Sequence, residues 1–281
     1  MPGERETREI LGKLGVRPSR RLGQTFLVDR GKAIRIAGFI AGQPPCPSGF
    51  SLLEIGPGLG SLTGALLGLE GMRSICAVEI CPEFAGFLRD SHGGDPRLSV
   101  IEGDFLRLEP SLLPGFPFDF VAGNLPYSES SAMLLRLLEP GLGAVRLAVL
   151  MLQREMAERA SCLTGGKDYG RLALAIWPEF EVTRVLDAGR DCFYPTPAVS
   201  SRVVSLTRRP RPAVPGELRK RYERLVSVAF GSRRKTLLNN LSRMMPREQA
   251  LECLRKVGID PLLRAERLPP QGFVDLAGVL P

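Results

Sequence analysis

The chain has 281 residues, 44% hydrophobic and 24% charged, the proportions of a folded globular protein with room for one large domain or two unequal ones. Its net charge of +8 is unevenly placed: residues 1–207 carry 22 basic and 23 acidic side chains, whereas residues 208–281 carry 16 and 7. That distribution argues against a uniformly basic protein and for a nearly neutral body carrying a polyanion-binding tail.

In chain order, Met1 to Arg21 mixes Arg5 and Arg8 with Glu4, Glu6 and Glu9, unlike a secretory signal or an acid-poor transit peptide. The charge-free run from Ile36 to Leu53 is interrupted by Pro44, Pro45 and Pro47 and does not read as a membrane span. Apolar runs at Ser51–Ile55, Ser74–Glu79, Leu98–Glu102, Phe118–Ala122, Val145–Leu150, Trp177–Leu186 and Val203–Thr207 predict strands. Helical patterns at Ser61–Leu69, Pro82–Arg89 and Ser130–Leu138 fall between the earlier ones. Strands alternating with helices predict an α/β fold with a doubly wound, largely parallel sheet, its last two strands forming an antiparallel pair at one edge.

Residues 208–216 contain three prolines and read as a linker, which gives domains at 1–207 and 217–281. Beyond it the signals are helical. Leu218, Tyr222, Leu225, Val226 and Ala229 share one helix face, Glu248–Val257 forms a second helix, and Asp260-Pro261 reads as the start of a third. The C-terminal domain is expected to be small, all-helical and basic. Six scattered cysteines, with no CxxC pair and one histidine (His92), predict neither a disulfide framework nor a metal site. A reducing, cytoplasmic setting follows as the expectation.

The chemistry concentrates at the strand ends. Leu52-Leu53-Glu54-Ile55-Gly56-Pro57-Gly58-Leu59-Gly60 runs an apolar strand into a glycine turn, with Glu54, Gly56 and Gly58 as candidate ligand contacts. Ser61 replaces the third glycine of the dinucleotide fingerprint, and Pro57 lacks an N–H for a pyrophosphate. The turn better suits a nucleoside without a pyrophosphate, such as S-adenosylmethionine. Glu79 ends the second strand and can accept from ribose hydroxyls; Asp104 follows the third and can accept from an adenine amino group.

Asn124-Leu125-Pro126-Tyr127 follows the fourth strand, where open α/β sheets bind ligands. The exocyclic nitrogen of adenine is a poor nucleophile because its lone pair is delocalised into the ring. The Asn124 side-chain oxygen and the Pro126 carbonyl can accept its two protons and favour a tetrahedral nitrogen, while Tyr127 stacks on the base. Methylation itself acidifies the departing proton, so no strong base is required. Phe193, in Phe193-Tyr194-Pro195-Thr196-Pro197, is the candidate second aromatic.

Together these residues closely resemble the ribosomal RNA adenine N6,N6-dimethyltransferase family, the housekeeping small-subunit type related to the erythromycin-resistance methyltransferases. The resemblance runs from about Arg20 to Leu280. It includes Arg21-Leu22-Gly23-Gln24-Thr25-Phe26-Leu27, Met151-Leu152-Gln153-Arg154-Glu155, Tyr169-Gly170-Arg171-Leu172, Phe193–Ser201, Arg233-Arg234-Lys235-Thr236-Leu237 and Gly258-Ile259-Asp260-Pro261. It implies a Rossmann-like S-adenosylmethionine methyltransferase domain, with cofactor contacts on Thr25, Leu27, Gly56, Glu79, Asp104 and Asn124. Position 25 usually holds Asn or His, so Thr25 points to a backbone or water-mediated contact.

The resemblance further implies that two adjacent adenines near the 3′ end of small-subunit RNA are dimethylated in an assembling subunit, as part of ribosome biogenesis; a monomer is the expectation, with the oligomeric state left open by the sequence. Arg20, Arg21, Arg154, Arg233, Arg234 and Lys235 are the candidate RNA contacts, since arginine and lysine grip phosphates without reading sequence. The alternatives are a methyltransferase acting on a large-subunit adenine and a ribosome-assembly factor with secondary catalysis.

Overall fold

Why the site forms where it does follows from the order of the strands. A computed structural model describes residues 2–19, 23–44 and 49–281. Its elements, in chain order, are α1 (Glu4–Leu14), β1 (Phe26–Leu27), α2 (Arg30–Ala41), β2 (Phe50–Ile55), α3 (Ser61–Leu66), β3 (Met72–Glu79), α4 (Pro82–His92), β4 (Leu98–Glu102), β5 (Phe120–Asn124) and α5 (Ser130–Arg136). They continue with β6 (Leu147–Gln153), α6 (Arg154–Ser161), α7 (Arg171–Ile176), β7 (Phe180–Ala188), β8 (Phe193–Tyr194), β9 (Ser201–Arg208), α8 (Arg219–Ala229), α9 (Leu237–Leu241), α10 (Arg247–Lys256) and α11 (Pro270–Val279).

The main sheet has the order β4-β3-β2-β5-β6-β9-β7. β2 pairs in parallel with β3 and β5, β3 with β4, and β5 with β6, whereas β9 runs antiparallel to β6. The chain therefore winds outward from β2 to β4, returns to the centre, and winds the other way from β5. A crevice opens beyond the carboxyl ends of β2 and β5, where the direction reverses. The α/β, doubly wound architecture is that expected from the sequence.

Burial explains why the strands read as nearly continuous apolar runs: β2 is buried at every residue, as helices cover both faces of a parallel sheet. Alternation still decides which face each side chain joins. Leu52, Ile75, Phe120, Leu147 and Val149 share one apolar cluster with Ile36 and Ile40 of α2 and Leu62 and Leu66 of α3. A separate two-stranded ladder pairs β1 with β8, Phe26 opposite Tyr194 and Leu27 opposite Phe193.

The chain divides into two compact units, Met1–Ala157 with Val182–Arg208, and Glu158–Glu181 with Arg209–Pro281. The break at Arg208 lies beside the expected one at 207/208. The partition departs from the sequence reading in giving Glu158–Glu181 to the second unit. Tyr169, buried within that excursion, donates its phenol to the Leu268 carbonyl at 2.8 Å, and Tyr222 of α8 donates to the Leu174 carbonyl at 2.9 Å.

Residues 209–216 also differ from the expected linker. Val214 is buried in the core of the second unit, and the Ala213 N–H donates to the Pro178 carbonyl at 2.7 Å. Trp177 closes α7 rather than opening a strand. Asp260-Pro261 makes a turn instead of a helix start: the Asp260 carboxylate accepts the Leu262 N–H at 2.9 Å, and the last helix begins at Pro270. Among the described residues no helix is long and apolar enough to cross a membrane.

Candidate active site

Thr25, Leu27, Glu54, Gly56, Gly58, Glu79, Asp104, Asn124 and Pro126 line one cavity of about 590 Å³ in the first unit. Its place beyond β2, β3 and β5 is dictated by the sheet order, and its volume lies in the range of small-molecule sites. The turn after β2 takes its shape from glycine: Gly56, Gly58 and Gly60 have φ of 65°, 57° and 80°, the left-handed region. A Cβ on Gly58 would sit 3.1 Å from the Phe26 ring, so glycine also keeps this wall thin. Phe26 meets Phe84 edge to face, with centroids 5.2 Å apart, forming an apolar side of the cavity.

Glu79, almost fully buried, ties the glycine turn to the end of β3. One of its oxygens accepts the Gly58 N–H and the other the Cys81 N–H, both at 2.9 Å. Each carboxylate oxygen retains a further lone pair for a ligand. Burial raises the Glu79 pKa, opposed by these backbone donors. Asp104 shapes the neighbouring turn: its Oδ1 accepts the Leu106 N–H at 2.9 Å, and Arg107 pairs with its Oδ2 at 3.3 Å.

Glu54 is the unusual group. It is 1% exposed, and neither carboxylate oxygen has a hydrogen-bond partner. Burial pushes its pKa up to about 8. Thr63 lies near enough to oppose that shift, though no hydrogen bond of normal geometry joins its hydroxyl to the carboxylate. A buried acid without a partner costs stability unless something supplies one. On a cavity wall, a bound ligand with a donor or positive charge is that partner.

At the end of β5, Asn124 donates Nδ2–H to the Thr25 carbonyl at 2.8 Å. This fixes the amide orientation and leaves Oδ1 buried without a partner. Thr25 thus contributes a main-chain atom here, which any residue at that position would supply. The Pro126 carbonyl accepts the Glu129 N–H at 3.2 Å, leaving its second lone pair for an incoming donor.

Neither aromatic candidate lines this cavity, although Tyr127 sits between two residues that do, Pro126 and Ser128. Tyr127 is half-buried, off the cavity wall, with its hydroxyl 2.7 Å from Ser201 Oγ. Phe193 is 2% exposed within the apolar cluster beneath the β1–β8 ladder, so its ring faces core rather than an open cavity. Its neighbour Tyr194 is less buried, with the Arg8 guanidinium 4.8 Å from the ring centroid.

Of the basic candidates, Arg20 and Arg21 lie outside the described residues. Arg154 is exposed at the start of α6. Arg233, Arg234 and Lys235 are consecutive and exposed in the second unit, but Arg233 already donates to the Lys167 carbonyl at 2.7 Å and to that of Tyr169. His92 ends α4, with its ring against Gly60 and off the cavity wall.

Sequence reading missed Ile80. It lines the cavity beside Glu79 and is 56% exposed, offering an apolar face to a planar ring. An apolar residue immediately after a strand-end acid was the available signal.

Comparison with known proteins gives this geometry a context. Residues 16–280 match the family model described as ribosomal RNA adenine dimethylase. The ribosomal RNA small subunit methyltransferase A of Chlorobaculum parvum is 38% identical over 92% of this chain and 87% of its own length. The protein of the same name from Pseudomonas aeruginosa is 36% identical over 94% and 95%. Among solved structures, the 23S rRNA methyltransferase ErmE superposes with a TM-score of 0.70 at 32% identity, covering 91% of this chain and 99% of that one. A dimethyladenosine transferase from Plasmodium falciparum gives 0.72 at 26% identity, over 88% and 94%. With a family model matched over nearly its whole length and a strand-end cavity of the shape just described, the chain belongs to the ribosomal RNA adenine dimethylase family.

Proposed function

We propose that this enzyme dimethylates N6 of two adjacent adenines near the 3′ end of small-subunit ribosomal RNA, acting as a cytoplasmic monomer on an assembling subunit. The observation that carries the reading is Asn124 Oδ1: a buried acceptor without a partner, beside the cavity, on a side chain whose other end is already held. The small-subunit assignment draws on the relatives that bear that name at 34–38% identity.

S-adenosylmethionine, the family's methyl donor, supplies an electrophilic methyl group on a sulfonium. The cavity suits it on three counts: the glycine turn admits close approach, Glu54 lacks a partner, and Glu79 keeps lone pairs at the end of β3. Glu54 holds the cationic end, Glu79 the ribose hydroxyls, and Asp104 with Ile80 the adenine.

The chain's own work is orientation. Asn124 Oδ1 and the Pro126 carbonyl accept the two N6 protons of the target, turning its lone pair out of conjugation with the ring. Tyr127 stacks on the base and fixes its plane. Fixed geometry of this kind supplies most of the acceleration, because a nitrogen that has gained a methyl group sheds its proton readily. Arg154, Arg234 and Lys235 meet phosphates; Arg233 is largely committed to holding its own unit together.

Incubation with unmethylated small subunits and cofactor, followed by mass spectrometry of the RNA, tests the proposal. The expected product is N6,N6-dimethyladenine at two adjacent positions. Asn124→Ala should still bind subunits but methylate about a hundredfold more slowly. Label confined to large-subunit RNA, or none at all, would overturn it.

A further inference from the structure

Tyr127 is restrained more firmly than stacking alone requires. Its hydroxyl lies 2.7 Å from Ser201 Oγ, and Ser201 is 1% exposed. Ser201 opens β9 opposite Gln153, the last residue of β6, so its hydroxyl is placed by a strand ladder rather than by a loop. At the opposite end of the residue, the Tyr127 main-chain nitrogen abuts Gly23, where a Cβ would come within 2.9 Å. The tyrosine is therefore held at the tip of its ring, while its backbone runs close beside Gly23.

We infer that Ser201 is a positioning residue for methyl transfer: its hydroxyl holds the Tyr127 phenol and so fixes where the ring is placed relative to the target base. The inference rests on the acceptor role proposed for Asn124–Tyr127. A tyrosine held only at its backbone can change χ1 rotamer, and its χ2 torsion is broad. Because the phenol oxygen lies on the χ2 axis, a hydrogen bond at the ring tip to a buried partner restricts χ1 and so fixes the direction of the ring axis. Either hydroxyl can be the donor of this bond, and the group Tyr127 offers the target is its ring.

Dimethylation makes this restraint consequential. The same adenine must accept a second methyl after the first, and a loosened ring shortens the time the monomethylated base stays aligned. Ser201→Ala and Tyr127→Phe remove one hydrogen bond from opposite sides while keeping the ring. Each should slow single-turnover methylation roughly three- to tenfold. Each should also raise the share of N6-monomethyladenine among products, with cofactor affinity unchanged. The double variant should be no slower than either single one, since both delete the same interaction.

Quenched-flow assays on small subunits, with nucleoside mass spectrometry and calorimetric cofactor titration, read all three quantities. Wild-type rate and product ratio in Ser201→Ala would overturn the inference, as would additive losses in the double variant or a loss that follows cofactor affinity. Asn124→Ala run alongside separates the levels: if it stays active, the acceptor reading itself fails. If it is inactive while Ser201→Ala matches wild type, only the role of Ser201 falls.

Discussion

The Thr25 carbonyl accepts the Asn124 side-chain amide at 2.8 Å, so an N-terminal segment sets the orientation of the residue that ends β5. Because a main-chain atom makes the contact, the side chain at position 25 is free to vary. Thr25→Ala should retain methylation within about threefold of wild type, the scale of losing one peripheral hydrogen bond.

Gly23→Ala should do the opposite. A Cβ there would press to within 2.9 Å of the Tyr127 nitrogen, at a φ of 62° that alanine adopts with strain. The 23–25 segment must move, and with it the carbonyl that holds Asn124. Turnover should fall by about tenfold or more, since small misplacements of a positioned group are costly. Equal turnover in the two variants would show that the segment does not act through Asn124.

Glu54 predicts a pH-dependent stability. Its pKa rises from 4.5 to about 8 on folding, so between those values the native state holds a proton that the unfolded state has lost. Stability from this group is therefore present at low pH and declines as pH climbs through that window, by on the order of a few kcal/mol. Glu54→Gln removes the decline. Glu79 is also raised by burial, and its charge adds to the Glu54 shift, so the difference between the two proteins' melting curves at pH 5, 7 and 9 reads Glu54 together with its repulsion from Glu79. Parallel curves would mean the buried carboxylate finds a partner when it ionises.

Features governed by neighbours in the chain were legible in the sequence, and those governed by distant contacts were not. The strands, the glycine turn and the acids at positions 79 and 104 follow from local patterns. β1 and β8 are two residues long and exist only because they pair with each other across 165 intervening residues. The same limit hid the burial of Phe193 under that ladder, where an aromatic in a proline-rich stretch reads as exposed. Tyr169 and Leu268 meet 99 residues apart, which is why residues 158–181 could not be assigned to the second unit from periodicity. Asp260 carries the residue type of a helix cap, yet its carboxylate closes a turn.

That discontinuity changes how the basic tail is best tested. Deleting residues 209–281 would strip Tyr169 and Leu174 of the core they share with Tyr222 and Phe273, so weaker RNA binding would be confounded with misfolding. The second unit as drawn by the structure carries 18 basic and 11 acidic side chains, and this excess is the proposed source of phosphate contacts. Point variants resolve it. Arg234→Ala/Lys235→Ala should weaken subunit binding and reduce the salt dependence of log K by about one per lost phosphate contact, with cofactor affinity unchanged. Arg233→Ala removes donors to the carbonyls of Lys167 and Tyr169 and should instead lower stability by about 1 kcal/mol. Salt-dependent binding and thermal melting of both variants distinguish the two roles; an Arg233→Ala protein with native stability and a reduced salt slope would reassign Arg233 to the RNA.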